Sequence, residues 1–267
     1  MSPRPFAKLA LASAAIFVLA APAVEAAAIH DAGLFTTVLP ANDDGSTASV
    51  GIGFSIDFYG SSLSSLFVNN NGNVTFSGPL GTYTPFGITG VSTPMLAPFF
   101  ADVDTRAGNT VTYGTNVLGG KSVFGVNWID VGYYGAHTDK LNSFQLIITD
   151  RSDVAAGDFD FEFNYDKIEW ETGDASGGTG GLGGVSAAAG WTNGTGTYYE
   201  FPGSLVNGAL LDGGSDALIA SHLNSSTDGQ YIFRVRSGHV VSVPEPATLV
   251  LLGLGLLGVT VTRRRSS

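Results

Sequence analysis

Between residues 158 and 165 the chain reads Asp-Phe-Asp-Phe-Glu-Phe-Asn-Tyr. Successive side chains of an extended strand point to opposite faces, whereas a helix brings together residues three or four apart. Only the extended form gathers Phe159, Phe161, Phe163 and Tyr165 on one surface and Asp158, Asp160, Glu162 and Asn164 on the other. The octapeptide therefore predicts a strand with an aromatic core face and a wet acidic face. The same alternation recurs at Ile52, Phe54, Ile56 and Phe58, and at Phe144, Leu146 and Ile148, set against Gln145, Ile147 and Thr149. It returns at Tyr231, Phe233 and Val235, set against Ile232, Arg234 and Arg236.

Turn chemistry separates these runs. Residues 67–76, Phe-Val-Asn-Asn-Asn-Gly-Asn-Val-Thr-Phe, predict a hairpin with Asn71-Gly72 near its tip, because Asn and Gly accept the positive φ of tight turns. Only 13% of residues are charged while 37 are Gly, a balance that suits strands and turns better than helical bundles. Residues 173–184 are so glycine-dense that ordering them costs much entropy, so they are expected to form a flexible loop. No amphipathic helix long enough for a βαβ unit is present, and no repeat of fixed period stands out. The expected fold is all-β, an antiparallel β-sandwich or barrel-like single domain over residues 28–240.

The two ends have a different composition. Arg4 and Lys8 precede an uncharged run from Leu9 to Ala20, and small residues lead to cleavage after Ala26. Residues 1–27 thus form a secretory signal helix. Residues 241–267 carry Pro244-Glu245-Pro246, an uncharged Leu/Gly-rich stretch over residues 247–262, and Arg263-Arg264-Arg265. Sixteen helical residues reach about 24 Å against a hydrocarbon core of roughly 30 Å. This is a short transmembrane helix whose arginines stay on the cytoplasmic side.

With these ends set aside, seven basic and 21 acidic residues remain, a net charge of −14. Such a domain repels phosphate backbones, which excludes nucleic acid as a partner. The acidity suits a solvated surface, basic partners or bound cations. The chain has no cysteine, which rules out disulfides, thiol nucleophiles and Cys-ligated zinc.

Candidate chemistry is sparse. Asp102 and Asp104 follow the apolar run at residues 97–101. Two carboxylates at i and i+2 in a loop can share a calcium ion with backbone carbonyls, or can cap turns by accepting local N–H groups. Asp158, Asp160 and Glu162 are a poor ladder for one ion, since alternate strand residues lie about 7 Å apart. His30, His137, His222 and His239 lack ligand spacing. No Gly-x-Ser-x-Gly elbow occurs. Two Gly-x-Gly-x-x-Gly matches, beginning at Gly178 and Gly253, lack the strand and helix of a dinucleotide site. Glu169, Glu171 and Glu200, beside Trp170 and Tyr198, are the acids from which a glycosidase pair would be drawn. Tyr133, Tyr134, Trp191, Tyr198 and Tyr199 either stack on sugar rings or bury in the core. Beyond these alternatives the residues point to no catalytic set.

Two stretches carry resemblances. Pro-Glu-Pro, a short apolar span and a terminal arginine cluster resemble the PEP-CTERM sorting signal of Gram-negative bacteria. That resemblance implies an exosortase partner, transient membrane anchoring, an inner-membrane intermediate, and release to a surface or matrix associated with exopolysaccharide and biofilm. In the middle domain, Phe58-Tyr59-Gly60, residues 66–76, residues 96–106, Val126-Asn127-Trp128, residues 142–149, residues 159–165 and Ala188-Ala189-Gly190-Trp191 resemble the nidogen-type extracellular domain over about residues 54–201. This implies cell–matrix adhesion without a catalytic set. Animal members sit among cysteine-rich modules, which this chain lacks. The expected function is therefore an exported surface or matrix protein that contacts polysaccharide or neighbouring cells. The alternatives are a secreted carbohydrate-active enzyme and a calcium-dependent matrix scaffold.

Overall fold

The alternating segments pair into two antiparallel sheets in a computed structural model that describes residues 28–241. The strands are β1 (Thr37–Val38), β2 (Val50–Phe58), β3 (Ser61–Asn69), β4 (Asn73–Thr75), β5 (Met95–Phe100), β6 (Val103–Asp104), β7 (Thr112–Leu118), β8 (Lys121–Tyr133), β9 (His137–Asp150), β10 (Phe159–Lys167), β11 (Ala188–Thr192), β12 (Tyr198–Glu200), β13 (Gln230–Arg236) and β14 (His239–Val241). The larger sheet runs β1-β7-β8-β9-β10-β13-β14, with β6 also on β8; the smaller runs β12-β11-β5-β4-β3-β2. Helical structure among the described residues is limited to short 3-10 turns. No helix among them is long and apolar enough to cross a membrane. The signal helix, the cleavage at Ala26, and the transmembrane and sorting segments lie outside the described residues.

The two sheets face each other across one aromatic core, which resolves the sandwich-or-barrel alternative in favour of the sandwich. Phe159, Phe161, Phe163 and Tyr165 of β10 are all buried, as their alternation requires. Across the interface Phe144 meets Phe99 with ring centroids 5.4 Å apart, Phe159 meets Phe58 at 5.9 Å, and the Tyr165 hydroxyl donates to the Pro98 carbonyl at 2.7 Å. Burying rings of this size supplies most of the driving force for closing the sandwich.

The outer faces differ from the expectation. The acidic side of β10 is covered rather than wet. Asp160 accepts from Arg151 at 2.6 Å and lies 2.7 Å from Arg236. Glu162 sits 3.0 Å from His30 and accepts from Gln230 at 3.1 Å. Asn164 is fully buried and donates to Gln145 at 3.2 Å. Part of the cover is the segment at residues 28–36: Gln145 exchanges two hydrogen bonds with the backbone of His30, each at 3.1 Å. Phe35 from the same segment packs on Val123 and Ile147. Its ring lies flat over Gly125, where a Cβ would come within 2.0 Å of it. Alternation alone could not reveal this strap, because its partners are distant in sequence.

The glycine-dense stretch at residues 173–184 is also not a free loop. A 3-10 turn at Asp174–Ser176 opens it, Gly178 N–H bonds the Gly173 carbonyl at 3.1 Å, and the Gly181 carbonyl accepts from Glu171 and Thr172 at 2.9 and 3.1 Å. Here the glycines serve close approach: a Cβ on Gly181 would stand 2.7 Å from that of Trp170. The entropy cost of so many glycines is offset by backbone hydrogen bonds and by close packing on buried Trp170.

Candidate functional site

The asparagine hairpin organises one end of the sandwich. β3 and β4 pair in the register Phe67 to Thr75 and Asn69 to Asn73, and Gly72 turns the chain with φ +71. The turn is not the exposed tip its composition suggests, since Asn69, Asn70, Asn71 and Asn73 are all buried. Amides buried this deeply must find partners: Asn69 and Asn73 bond each other at 2.7 Å, while Asn70 and Asn71 reach the two neighbouring segments. The Asn70 side chain donates to the carbonyls of Asp43, at 2.5 Å, and of Val103. Its oxygen accepts from the Thr105 hydroxyl at 3.0 Å. Asn71 donates to Asp44 Oδ1 at 2.9 Å and accepts from the Val103 N–H at 3.0 Å. Two segments far apart in the chain, the loop at residues 40–46 and residues 101–105 around β6, are thereby clamped against one turn.

That clamp gathers three carboxylates. One oxygen from each of Asp43, Asp44 and Asp102 lies within 4.8 Å of the other two. Asp44 stands at the exposed rim, Asp43 is half-buried and Asp102 is fully buried. Neither Asp102 oxygen has a hydrogen-bond partner, nor does Asp43 Oδ1. Burial pushes Asp102 up to about 7, reinforced by the charges of Asp43, Asp44 and Asp104. Burial likewise raises Asp43 to about 6, with Asp104 and Asp44 adding to the effect. Room for the Asp102 side chain depends on Gly173, where a Cβ would lie 2.3 Å from Oδ2.

Asp104, the residue paired with Asp102 in the sequence, faces a different partner. Arg106 grips it with two bonds of 2.9 and 2.6 Å, and the N–H groups of Arg106 and Ala136 add two more at 3.0 and 2.8 Å. Burial alone would raise this carboxyl, but these donors hold it below the ordinary value. Arg106 also reaches Asp43 Oδ2 at 3.2 Å. The structure thus joins Asp102 to Asp43 and Asp44, which sequence reasoning missed, and gives Asp104 to the arginine. The one sequence signal for the missing pair is the turn-forming run Asn42-Asp43-Asp44-Gly45, in which Asn42 Oδ1 accepts from Gly45 N–H at 2.6 Å.

The remaining candidates separate cleanly. Glu171 is fully buried and accepts the N–H groups of Gly208 and Leu210 at 2.5 and 2.7 Å. Glu169 accepts from Leu141 N–H at 2.8 Å, and Glu200 from Ile88 N–H at 2.6 Å. All three acids hold loops in place. Tyr133 and Trp191 belong to the core, whereas Tyr198 and Tyr199 on the edge strand β12 are exposed. Beside Tyr199 lies a cleft lined by Phe201, Asp216, His222 and Tyr231. The four histidines occupy separate places: His137 meets Asp174, His222 meets Asp228, His30 meets Glu162, and His239 packs edge-on against Tyr59.

Comparison with known proteins places this architecture. Alpha-tectorin of Mus musculus is 33% identical over 196 residues, covering 63% of this chain and 9% of its own length. Alpha-tectorin of Gallus gallus is 31% identical over 244 residues, covering 81% and 11%. Nidogen of Drosophila melanogaster is 26% identical over 208 residues, covering 67% and 14%. The chain therefore spans only a small part of these relatives. No solved structure matches it. The PEP-CTERM protein-sorting motif matches residues 242–265, and the nidogen-like domain matches residues 64–121 and 114–237. Together these matches mark an exported surface protein with an exosortase recognition motif. With most of its length accounted for in this way, the chain belongs to the nidogen-like domain family.

Proposed function

We propose that this chain is a non-catalytic surface protein whose nidogen-like domain holds exopolysaccharide or a neighbouring matrix surface once an exosortase has delivered it. The observation that carries the reading is the order of the two matches: the domain runs to residue 237 and the sorting motif begins at residue 242. A domain of matrix-type ancestry is thus coupled directly to a surface address. Fold membership alone does not specify a ligand. The exposed pair Tyr198 and Tyr199 supplies the chemistry for sugar, since aromatic faces stack on the apolar faces of pyranose rings. On this reading the membrane is a transient partner of the C-terminal segment, and the route passes through the inner membrane of a Gram-negative cell.

The competing reading is a carbohydrate-active enzyme. Glycoside hydrolysis needs two carboxyl groups facing one another across a substrate cleft, and Glu169, Glu171 and Glu200 are instead engaged by backbone N–H groups. The two readings part when the full chain, purified in detergent, is incubated with exopolysaccharide from the producing cells. Co-sedimentation with no new reducing ends, weakened in Y198A/Y199A, is the expected result. Released oligosaccharides would overturn the binding reading in favour of the enzyme.

A further inference from the structure

The structure assigns a calcium site to Asp43, Asp44 and Asp102, at the junction of the loops clamped by the asparagine turn. Among the described residues this is the one group of three such side chains close enough to share an ion. The bound of 4.8 Å on their separations is twice the roughly 2.4 Å of a calcium–oxygen bond. Three oxygens so spaced lie within about 2.8 Å of a common centre, so a shift of a few tenths of an ångström lets one ion touch all three, which it could not do along the acidic face of β10.

The independent indication comes from Asp102. It is fully buried, yet both of its oxygens lack a hydrogen-bond partner, and Asp43 Oδ1 beside it is in the same state. Buried carboxylates are ordinarily paired, hydrogen-bonded or bound to a metal. Among the described residues the one cation at hand, Arg106, is occupied by Asp104 and touches Asp43 through its other oxygen, Oδ2. Protein side chains thus leave the inward oxygens of Asp102 and Asp43 unanswered. The set is all oxygen, with no imidazole or thiolate, and so favours a hard cation over zinc or copper. Calcium fits better than magnesium because the ligands come from two irregular loops, and calcium accepts flexible geometry with water filling the remaining positions.

A bound ion would also tie residues 40–46 to residues 101–105 and complete the junction that Asn70 and Asn71 begin. This site is independent of polysaccharide binding, so either reading can fail alone. The test is calcium binding to the full chain in detergent, followed by equilibrium dialysis with calcium chloride and by thermal unfolding against chelator. The expected result is one equivalent bound at millimolar calcium or below, a rise in Tm, and a weaker effect of magnesium at equal concentration. D102N should abolish the calcium-dependent rise. D44N alters an exposed rim residue and leaves the core intact, and it should weaken binding about tenfold. If D102N does not fold, D44N decides. No bound calcium with no change in Tm, or D44N binding as tightly as wild type, would overturn the site, and tighter magnesium binding would overturn its assignment to calcium.

Discussion

The indole N–H of Trp128, buried in the middle of the larger sheet, donates to the backbone carbonyl of Asn70 at 3.0 Å. Trp128 also stacks on Phe144 at 5.2 Å. The core is thereby bonded to the turn that clamps the two acidic loops. Replacing Trp128 by Phe keeps most of the packing but removes this bond, leaving the Asn70 carbonyl only the Gly72 N–H at 2.8 Å, a loss of about 1 kcal/mol. Asn70→Ala removes donors to two carbonyls and an acceptor for Thr105, and is expected to cost at least as much. Urea unfolding of both variants checks the ranking, and an N70A protein as stable as wild type would contradict the clamp.

Phe35 and Gly125 form a second dependent pair. A methyl group at residue 125 would collide with the Phe35 ring, so Gly125→Ala should destabilise by about 1–3 kcal/mol through overpacking. In a Phe35→Ala background the collision disappears, and the added methyl should be neutral or stabilising. A double-mutant cycle on the two changes therefore predicts a strong coupling. Additive effects would show that the strap does not lie over Gly125.

The strap carries a pH dependence through His30. Its imidazole is raised above the ordinary 6.5, chiefly by its bond to Glu162 and against the opposing effect of burial. Because the folded value exceeds the unfolded one, the pair's contribution is complete below the unfolded pKa near 6.5. It is lost as pH rises through the folded value. The Tm difference between wild type and His30→Gln should therefore shrink as pH rises from about 6.5 through the folded value. Glu162→Gln should remove the trend. A difference independent of pH would rule out the pairing.

Gly173 gives a steric test of the acidic pocket. Its backbone, at φ −78 and ψ 159, is open to any residue, so Gly173→Ala acts through space alone. The new methyl would press on the Asp102 carboxylate. We expect the calcium-dependent rise in Tm to fall sharply while the far-ultraviolet circular dichroism stays that of a β protein. An unchanged calcium response would show that Asp102 does not bind from this position.

The strands were legible because alternation is local: Phe159 to Tyr165 announce their face without help from any other segment. The hairpin at Asn69–Asn73 was legible for the same reason, since Gly72 and its neighbours encode the turn in a few residues. What lay hidden depended on tertiary partners. Asp160 and Glu162 read as a wet face because Arg151, Arg236 and His30 come from elsewhere in the chain. Asp102 was visible as a candidate, but its companions Asp43 and Asp44 arrive only through the hydrogen bonds of Asn70 and Asn71. The ordering of residues 173–184 likewise required Trp170 and the carbonyls of Gly173 and Gly181.

The proposed function requires delivery to the surface through the C-terminal motif. Cells expressing wild type or the Pro244→Ala, Glu245→Ala, Pro246→Ala variant can be fractionated and the mature masses compared. Wild type is expected in the surface or matrix fraction at a mass lacking the segment beyond the motif, and the variant uncut in the membrane. Equal masses and equal distribution of the two proteins would contradict the account.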